Sequence, residues 1–162
     1  MINNKADLKN STNNNDSQYG IDIDVYKTTK LLLNEIRIHK DFLIVGHLAP
    51  YVLKKTSIDL VVVLRRSPYE LEKILEQRRY SPLKIKENIA CEVLGISFYD
   101  SLKTFGKGKV AELDCSGKPC NRTADEIVNL LKNKRKQQRV IATVDWLSLV
   151  YEKGDVGRFL EY

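Results

Sequence analysis

The stretch LEQRRYSPLKIKENI, residues 75–89, is the part of the sequence best suited to phosphate chemistry. It holds four Lys or Arg residues, with Tyr80 and a Ser81-Pro82 pair between them. The pair predicts a break between two helices, so the cations gather at a turn. Arginine presents a planar fork of donors that matches phosphate oxygens, so the cations of this turn could bind a phosphate-bearing ligand. A solvated helix end favoured by the helix dipole is the alternative explanation of the same residues.

Two further sets of polar residues follow predicted strands. His47 comes directly after the apolar run FLIVG and could orient a water molecule or a phosphate acceptor. Ser116, Gly117 and Lys118 follow VAELDC, and the glycine permits close approach of a ligand to the backbone. For His47 the competing explanation is a histidine at a strand end whose hydrogen bonds are satisfied within the protein. For residues 116–118 it is an ordinary polar turn.

Three short apolar runs are predicted to be strands that position these residues. They are FLIVG (42–46), IDLVVVLRR (58–66) and KVAELDCSG (109–117). Because helical patterns alternate with them, the sequence predicts an α/β fold with a parallel sheet and flanking helices. Ligands bind at the carboxyl ends of strands in such sheets, which is where these polar residues fall.

Helix starts are marked by capping residues. Asp22 or Asp24 precedes a first helix whose apolar face includes Leu32 and Ile36. Ser67, Pro68 and Glu70 predict a capping box, Ser81 and Pro82 repeat the start signal, and Asp145 precedes a last short helix. A helix carrying Ile85, Ile89, Val93 and Ile96 on its inner face follows Pro82, and another begins near Thr123, with Ile127, Leu130 and Leu131 inward.

The amino-acid composition indicates which partners and which location to expect. The chain has 162 residues, 43% hydrophobic and 30% charged, with a formal net charge of +6. Excess positive charge favours polyanionic partners such as nucleotides or RNA, or serves solubility alone. No apolar run approaches a membrane span and the first residues lack a signal-peptide core, so we expect a cytoplasmic protein without membrane contact. Cys91 is expected in the core; Cys115 and Cys120 lack zinc-site spacing, and we predict no metal site built from side chains.

The sequence resembles one family, the adenylate kinase isoenzyme 6 family, in its archaeal form. The resemblance is carried by IVGHLAPYVL, by L-R-x-x-P-x-x-L from Leu64, by R-x-Y-S-x-x-K-I-x-E-N-I-x-x-E from Arg78, by VAELDCSGK and by VDWL. It implies a P-loop-kinase-like parallel sheet over residues 21–162. It also implies a lid at about residues 77–87 that closes over ATP.

The resemblance also implies residue roles. Arg78 would contact ATP and act in catalysis, and Gln77, Arg79, Tyr80 and Lys84 would belong to the lid. His47 would assist catalysis near magnesium and water, and Ser116, Gly117 and Lys118 would face the adenine base. The implied function is transfer of the γ-phosphoryl group of ATP to AMP with Mg²⁺, or ATP hydrolysis during maturation of the small ribosomal subunit.

One part of the family pattern is missing from the sequence. Such kinases open with a strand and a glycine-rich G-x-x-x-x-G-K-S/T loop, and no such motif occurs in the 162 residues. Residues 1–20, polar and Asn-rich, resemble only a remnant of the monophosphate-binding segment and are expected to be mobile. Three explanations of the missing loop are open: a wrongly assigned coding start, a fragment or degenerate copy, and a loop supplied by a neighbouring chain. We favour a wrongly assigned coding start.

As written, the chain is expected to be a weak or inactive kinase with exposed apolar surface beside the gap. The alternative is a non-catalytic assembly factor that binds a small-subunit ribosomal protein or rRNA. KNKRKQQR, residues 132–139, holds five cations and no acidic residue, as phosphate-tracking segments do, but a solvated helix end also explains it.

Overall fold

The computed structural model describes residues 24–38, 42–53, 58–132 and 144–161. Eight helices and two strands are described in these ranges. In chain order they are α1 (Val25–Ile38), α2 (Ala49–Val52), β1 (Val61–Arg65), α3 (Pro68–Gln77), α4 (Pro82–Val93), α5 (Ile96–Phe105), β2 (Val110–Asp114), α6 (Cys120–Lys132), α7 (Trp146–Glu152) and α8 (Val156–Leu160). Residues 1–20, Asp22 and most of the basic run 132–139 lie outside the described ranges.

The predicted α/β class is confirmed. Strands β1 and β2 pair in parallel, with Val61 opposite Val110 and Arg65 opposite Asp114. The connection between them runs through α3, α4 and α5, because parallel neighbours need a crossover rather than a tight turn. Both strands therefore end at the same edge of the sheet, and the polar loops that follow them meet there.

The predicted strand at residues 42–46 is wrong. This segment has no strand pairing among the described residues, and Leu43 and Val45 are 86% and 87% exposed. A strand exists only by hydrogen bonding to a neighbour, and apolar β-branched composition cannot supply that neighbour. Only Ile44 of this segment packs against the core. The side chains of Leu43 and Val45 are therefore exposed at the surface.

Helix starts follow the predicted caps more closely. The Asp24 carboxylate accepts a hydrogen bond from Lys27 N at 2.9 Å, and Ser81 Oγ accepts one from Lys84 N at 3.3 Å. Asp145 Oδ1 accepts one from Ser148 N at 3.0 Å. Each cap satisfies a backbone N–H that has no partner inside its own helix. These three caps are confirmed.

Other helix predictions need correction. The helix after Pro82 ends at Val93 and Gly95 separates it from α5, so Ile96 does not belong to it. Helix α6 begins at Cys120, three residues before Thr123, and Leu131 is exposed rather than inward. Cys91 was expected in the core, but it is exposed. Cys115 is the buried cysteine.

Two apolar clusters hold the described residues together. The first lies between the sheet and helices α1, α2 and α5; its buried members are Val52, Leu53, Val63, Phe105 and Val110. The second joins α3 and α4 to the C-terminal helices; its buried members are Leu75, Ile89, Val93, Val150 and Phe159. The pair α3–α4, which carries the predicted lid, is thus packed against α7 and α8.

Candidate functional site

The two loops at the carboxyl ends of the strands are bonded to each other. Cys115 N donates to Arg65 O at 2.8 Å, and Ser67 N donates to Ser116 Oγ at 2.7 Å. We call residues 66–67 and 115–118 the strand-end loops. The structure therefore brings the predicted residues Ser116 and Gly117 against the start of α3, where parallel-sheet proteins bind ligands.

Glu70 fixes the second of these loops. Its Oε1 accepts from Gly117 N at 2.9 Å and its Oε2 accepts from Arg66 Nη1 at 3.1 Å. The predicted capping box is therefore wrong, because Glu70 bonds the neighbouring loop instead of the Ser67 backbone and the Ser67 side chain makes no cap bond. A tertiary partner has replaced a local one at this helix start.

The backbone N–H groups of residues 116–118 are all used inside the protein. Ser116 N donates to Asp114 Oδ1 at 2.8 Å, Gly117 N to Glu70, and Lys118 N to Cys115 O at 3.3 Å. The loop backbone can therefore contact a ligand through its carbonyl oxygens. The Lys118 ammonium is 2.9 Å from Glu126 Oε2 on α6, so it is held on the α6 side of the loop.

Cys115 lies under this loop. Burial raises the pKa of its thiol, while a hydrogen bond with Thr123 and the nearby cations Arg66 and Lys118 act in the opposite direction. Thiolate is the reactive form, so a buried thiol with a raised pKa is inert at neutral pH. Cys115 therefore serves packing and not nucleophilic chemistry.

Of the predicted lid residues, Arg78, Arg79 and Tyr80 lie in the turn between α3 and α4, whereas Gln77 ends α3 and Lys84 lies in the first turn of α4. Arg79 N donates to Glu76 O at 2.8 Å and Tyr80 N donates to Leu75 O at 3.2 Å, the bond pair of a Schellman motif. Gln77, Arg78, Arg79, Tyr80 and Lys84 are all exposed, with Lys84 3.2 Å from Glu87. Ile85 and Ile89 belong to the second apolar cluster, so the exposed cations of the predicted lid are Arg78 and Arg79 in the turn and Lys84 at the start of α4.

Arg78 and the strand-end loops lie at opposite ends of α3. Glu70, in the first turn of this helix, contacts Gly117, whereas Arg78 follows its last residue. A ten-residue helix is about 15 Å long, so the structure does not bring Arg78 beside residues 116–118.

His47 is exposed in the turn before α2, where Ala49 N donates to Gly46 O at 3.3 Å. No hydrogen bond or ion pair among the described residues joins it to Arg78 or to the strand-end loops.

A buried ion network was missed by sequence reasoning. Arg65 Nε lies 2.6 Å from Glu92 Oε1, and Arg65 Nη1 pairs with Glu112 Oε1. The side chains of Arg65 and Glu112 are 4% and 0% exposed. The available signal was a charged residue inside each of two apolar strand patterns, VVVLR and VAELD, since buried charges need partners.

Within the described ranges, no group of three metal-ligating side chains could hold a metal ion. Mg²⁺ in phosphoryl-transfer sites is held by substrate phosphates, water and one or two carboxylates, and so does not require such a group. In the same ranges, none of the helices has the length and apolar content to cross a membrane.

The fold and the strand-end loops define an α/β protein of the class that binds ligands at the carboxyl ends of parallel strands. No protein-family model matches the chain. The chain is 30% identical over 130 residues to a protein of Methanocaldococcus jannaschii described as "Putative adenylate kinase", covering 80% of this chain and 67% of that protein.

Two more archaeal proteins with the same description are similar. The chain is 30% identical over 133 residues to the protein of Thermococcus onnurineus, which covers 82% of this chain and 68% of that protein. It is 31% identical over 108 residues to the protein of Methanococcus maripaludis, which covers 67% of this chain and 56% of that protein. The chain belongs to this archaeal adenylate kinase-like family. It spans between 56% and 68% of the length of these three relatives.

Proposed function

We propose that this chain is part of a nucleotide kinase that transfers the γ-phosphoryl group of ATP to AMP. The observation that carries the proposal is the similarity to archaeal adenylate kinase-like proteins across most of the chain. In the reaction, an AMP phosphate oxygen forms a bond to the γ-phosphorus as the bond to ADP breaks, which yields two ADP molecules. Mg²⁺ bound to the phosphates would neutralise part of their charge.

The strand-end loops are proposed to hold the adenine base of ATP. Supporting this is their position at the carboxyl ends of two parallel strands, with Ser67 and Glu70 bonding residues 116 and 117. The carbonyl oxygens of the loop are suited to accept from an exocyclic amino group. Gly117 adopts φ +63° and an added Cβ would meet nothing within 4 Å, so its role at this position is conformational.

Arg78 is proposed to contact the ATP phosphates when the turn between α3 and α4 closes. Its guanidinium is exposed at a turn that also carries Arg79, and Lys84 lies in the first turn of α4. Charge on the transferring phosphoryl group needs positive groups near it, and closure removes water that would weaken this interaction. His47 is proposed to orient the acceptor, on the strength of the resemblance of IVGHLAPYVL alone.

ATP binding with Mg²⁺ tests the proposal, measured by titration calorimetry on the 162-residue chain. We expect Arg78→Ala to weaken binding about tenfold or more, because a charge-assisted hydrogen bond is lost. Arg37→Ala is the matched control, since Arg37 is an exposed arginine near the end of α1 and should bind ATP as the parent does. Absence of ATP binding by the parent would refute the proposal for this chain.

A second candidate is a non-catalytic factor that binds a small-subunit ribosomal protein or rRNA. ATP hydrolysis during maturation of the small subunit belongs to the first candidate, because it needs the same ATP site. The sequence feature that favours the second candidate is the basic run 132–139, which holds five cations and no acidic residue. Salt-dependent binding of rRNA fragments by a chain that binds no ATP would favour it over the kinase.

A further inference from the structure

The Glu92 side chain joins three segments through one oxygen. Glu92 Oε1 accepts from Arg65 Nε at 2.6 Å, from Trp146 Nε1 at 3.0 Å and from Arg66 N at 3.2 Å. The Glu92 backbone carbonyl accepts from Arg65 Nη2 at 2.6 Å. The last turn of α4 is thereby bonded to the end of β1 and to the first residue of α7.

The bond to Arg66 N leads directly into the strand-end loops. The next backbone N–H, that of Ser67, donates to Ser116 Oγ at 2.7 Å. The Arg66 side chain reaches Glu70 at 3.1 Å, and Glu70 accepts from Gly117 N at 2.9 Å. The bonds that fix residues 116 and 117 are therefore made by Ser67, the next residue after Arg66, and by Glu70, which the Arg66 side chain contacts; Glu92 holds the backbone N–H of Arg66 itself.

Arg65 supports this arrangement through a partly buried ion pair with Glu92. Its guanidinium bonds Glu92 through two nitrogens and Glu112 through the third. A Cβ added at Gly95 would lie 3.4 Å from Arg65 Nη1, so glycine at this left-handed position also gives the guanidinium room. The Glu92 side chain is 17% exposed, and its partial burial is tolerated because its charge is paired with Arg65 and hydrogen-bonded.

We infer that Glu92 is a positioning residue for the strand-end loops. It holds the turn between β1 and α3, and this turn holds residues 116–118. The same Glu92 oxygen also bonds Trp146, the first residue of α7. The inference rests on the proposed function only in treating these loops as the base-binding site. Local order in the loops is its direct consequence and can be measured without any nucleotide.

Amide hydrogen exchange followed by NMR tests the positioning role. We expect Glu92→Ala to speed exchange at the amides of Arg66, Ser67 and Gly117 about tenfold more than at Val61, whose N–H bonds Lys109 O in the sheet. Glu92→Gln keeps an oxygen that can accept from Arg66 N, but more weakly than a carboxylate does, so it should restore only part of the protection and leave loop exchange a few-fold faster relative to Val61. A general loss of stability would speed all four amides by the same factor.

Two control variants separate positioning from packing. Trp146→Phe removes one hydrogen-bond donor to Glu92 Oε1. Glu112→Gln removes the charge of the other carboxylate that pairs with Arg65. Neither variant changes the hydrogen bond from Arg66 N to Glu92. Both should leave the ratio of loop to sheet exchange at the parent value. The inference is overturned if either control raises that ratio as much as Glu92→Ala does, or if Glu92→Ala leaves it unchanged.

If Glu92→Ala does not fold, Glu92→Gln decides the matter. A neutral amide oxygen accepts a weaker bond than a carboxylate, so loop exchange should still rise a few-fold over that of Val61; an unchanged ratio overturns the inference. ATP calorimetry on the same proteins separates the two proposals. Failure of the parent to bind ATP refutes the proposed function and leaves the exchange result to stand alone.

Discussion

Arg79 adopts a backbone conformation that is unfavourable for its residue type. Its φ of +59° is the one left-handed value at a non-glycine residue among those the structure describes. It occupies the position after the helix cap in the Schellman motif of α3, where glycine is usual. A side chain there costs about 1–2 kcal/mol, so this site gives up stability to keep a second arginine beside Arg78.

Replacement of Arg79 by glycine should raise the free energy of unfolding by about 0.5–1 kcal/mol. The left-handed strain is removed, and part of the gain is offset by the greater freedom of glycine in the unfolded chain. Urea denaturation of the parent and Arg79→Gly measures the change. Arg79→Ala keeps the strain and loses the charge; if it stabilises equally, repulsion between the two arginines is the cause and strain is not.

At the scale of the elements, α7 depends on the carboxylate of Asp145. Hydrogen bonds from the backbone and side chain of Ser148 lower the pKa of Asp145 below its ordinary value of 3.8. A lowered pKa means that the folded state binds its proton more weakly than the unfolded state does. The resulting stabilisation is complete above about pH 4 and is lost as the pH falls through the lowered pKa.

Asp145→Ala should therefore lower the melting temperature at pH 7, and the difference from the parent should shrink as the pH drops below 4. Asp145→Asn retains an oxygen that caps α7 and should lose less at pH 7. Melting curves followed by circular dichroism across this pH range measure both variants. An Asp145→Ala deficit that persists undiminished at the lowest pH would contradict a role for the ionised cap.

Tyr69, at the start of α3, contacts both the turn between α7 and α8 and helix α8 itself. Its hydroxyl donates to Asp155 Oδ2 at 2.7 Å, and its ring packs edge-on against Phe159 with centroids 5.3 Å apart. Burial, together with this hydrogen bond, raises the pKa of Tyr69 to about 12. The phenol therefore stays protonated, and remains a donor, at physiological pH.

At the scale of the whole molecule, the C-terminal helices hold the pair α3–α4 that carries the cationic turn. Phe159 is 1% exposed at the centre of the second apolar cluster, and Arg158 bonds Glu72 on α3. The turn between Gln77 and Ser81 is exposed at the end of this pair, as are Leu83 and Lys84 at the start of α4. Closure over a ligand would then be a movement of the turn or of the whole unit, because the root of the pair is fixed.

Phe159→Ala should lower the free energy of unfolding by about 3–5 kcal/mol, because it empties a packed site. Tyr151→Ala, which removes an aromatic ring that is 76% exposed on α7, should change it by less than about 0.5 kcal/mol. Chemical denaturation followed by circular dichroism compares the two. A small loss for Phe159→Ala would mean that α8 contributes little to the second cluster.

The sequence by itself determined the features that depend on neighbouring residues. Ser81 and Asp145 were identified as caps because a helix start is satisfied within three or four residues of chain. The strand around Val63 is predicted by a β-branched apolar run, and the strand around Val110 by a short apolar run with a polar end. The family was recognised for the same reason, since its motifs are contiguous.

The tertiary structure decided every feature that depends on a distant partner. Residues 42–46 have strand composition but lack a neighbouring strand among the described residues, and Glu70 bonds Gly117 across the site in place of its own helix start. Glu92 meets Arg65 and Trp146 from positions 27 and 54 residues away. Spacing along the chain carries no signal for such pairs, because only the crossover of α3–α5 and the return of α7 bring them within hydrogen-bonding distance.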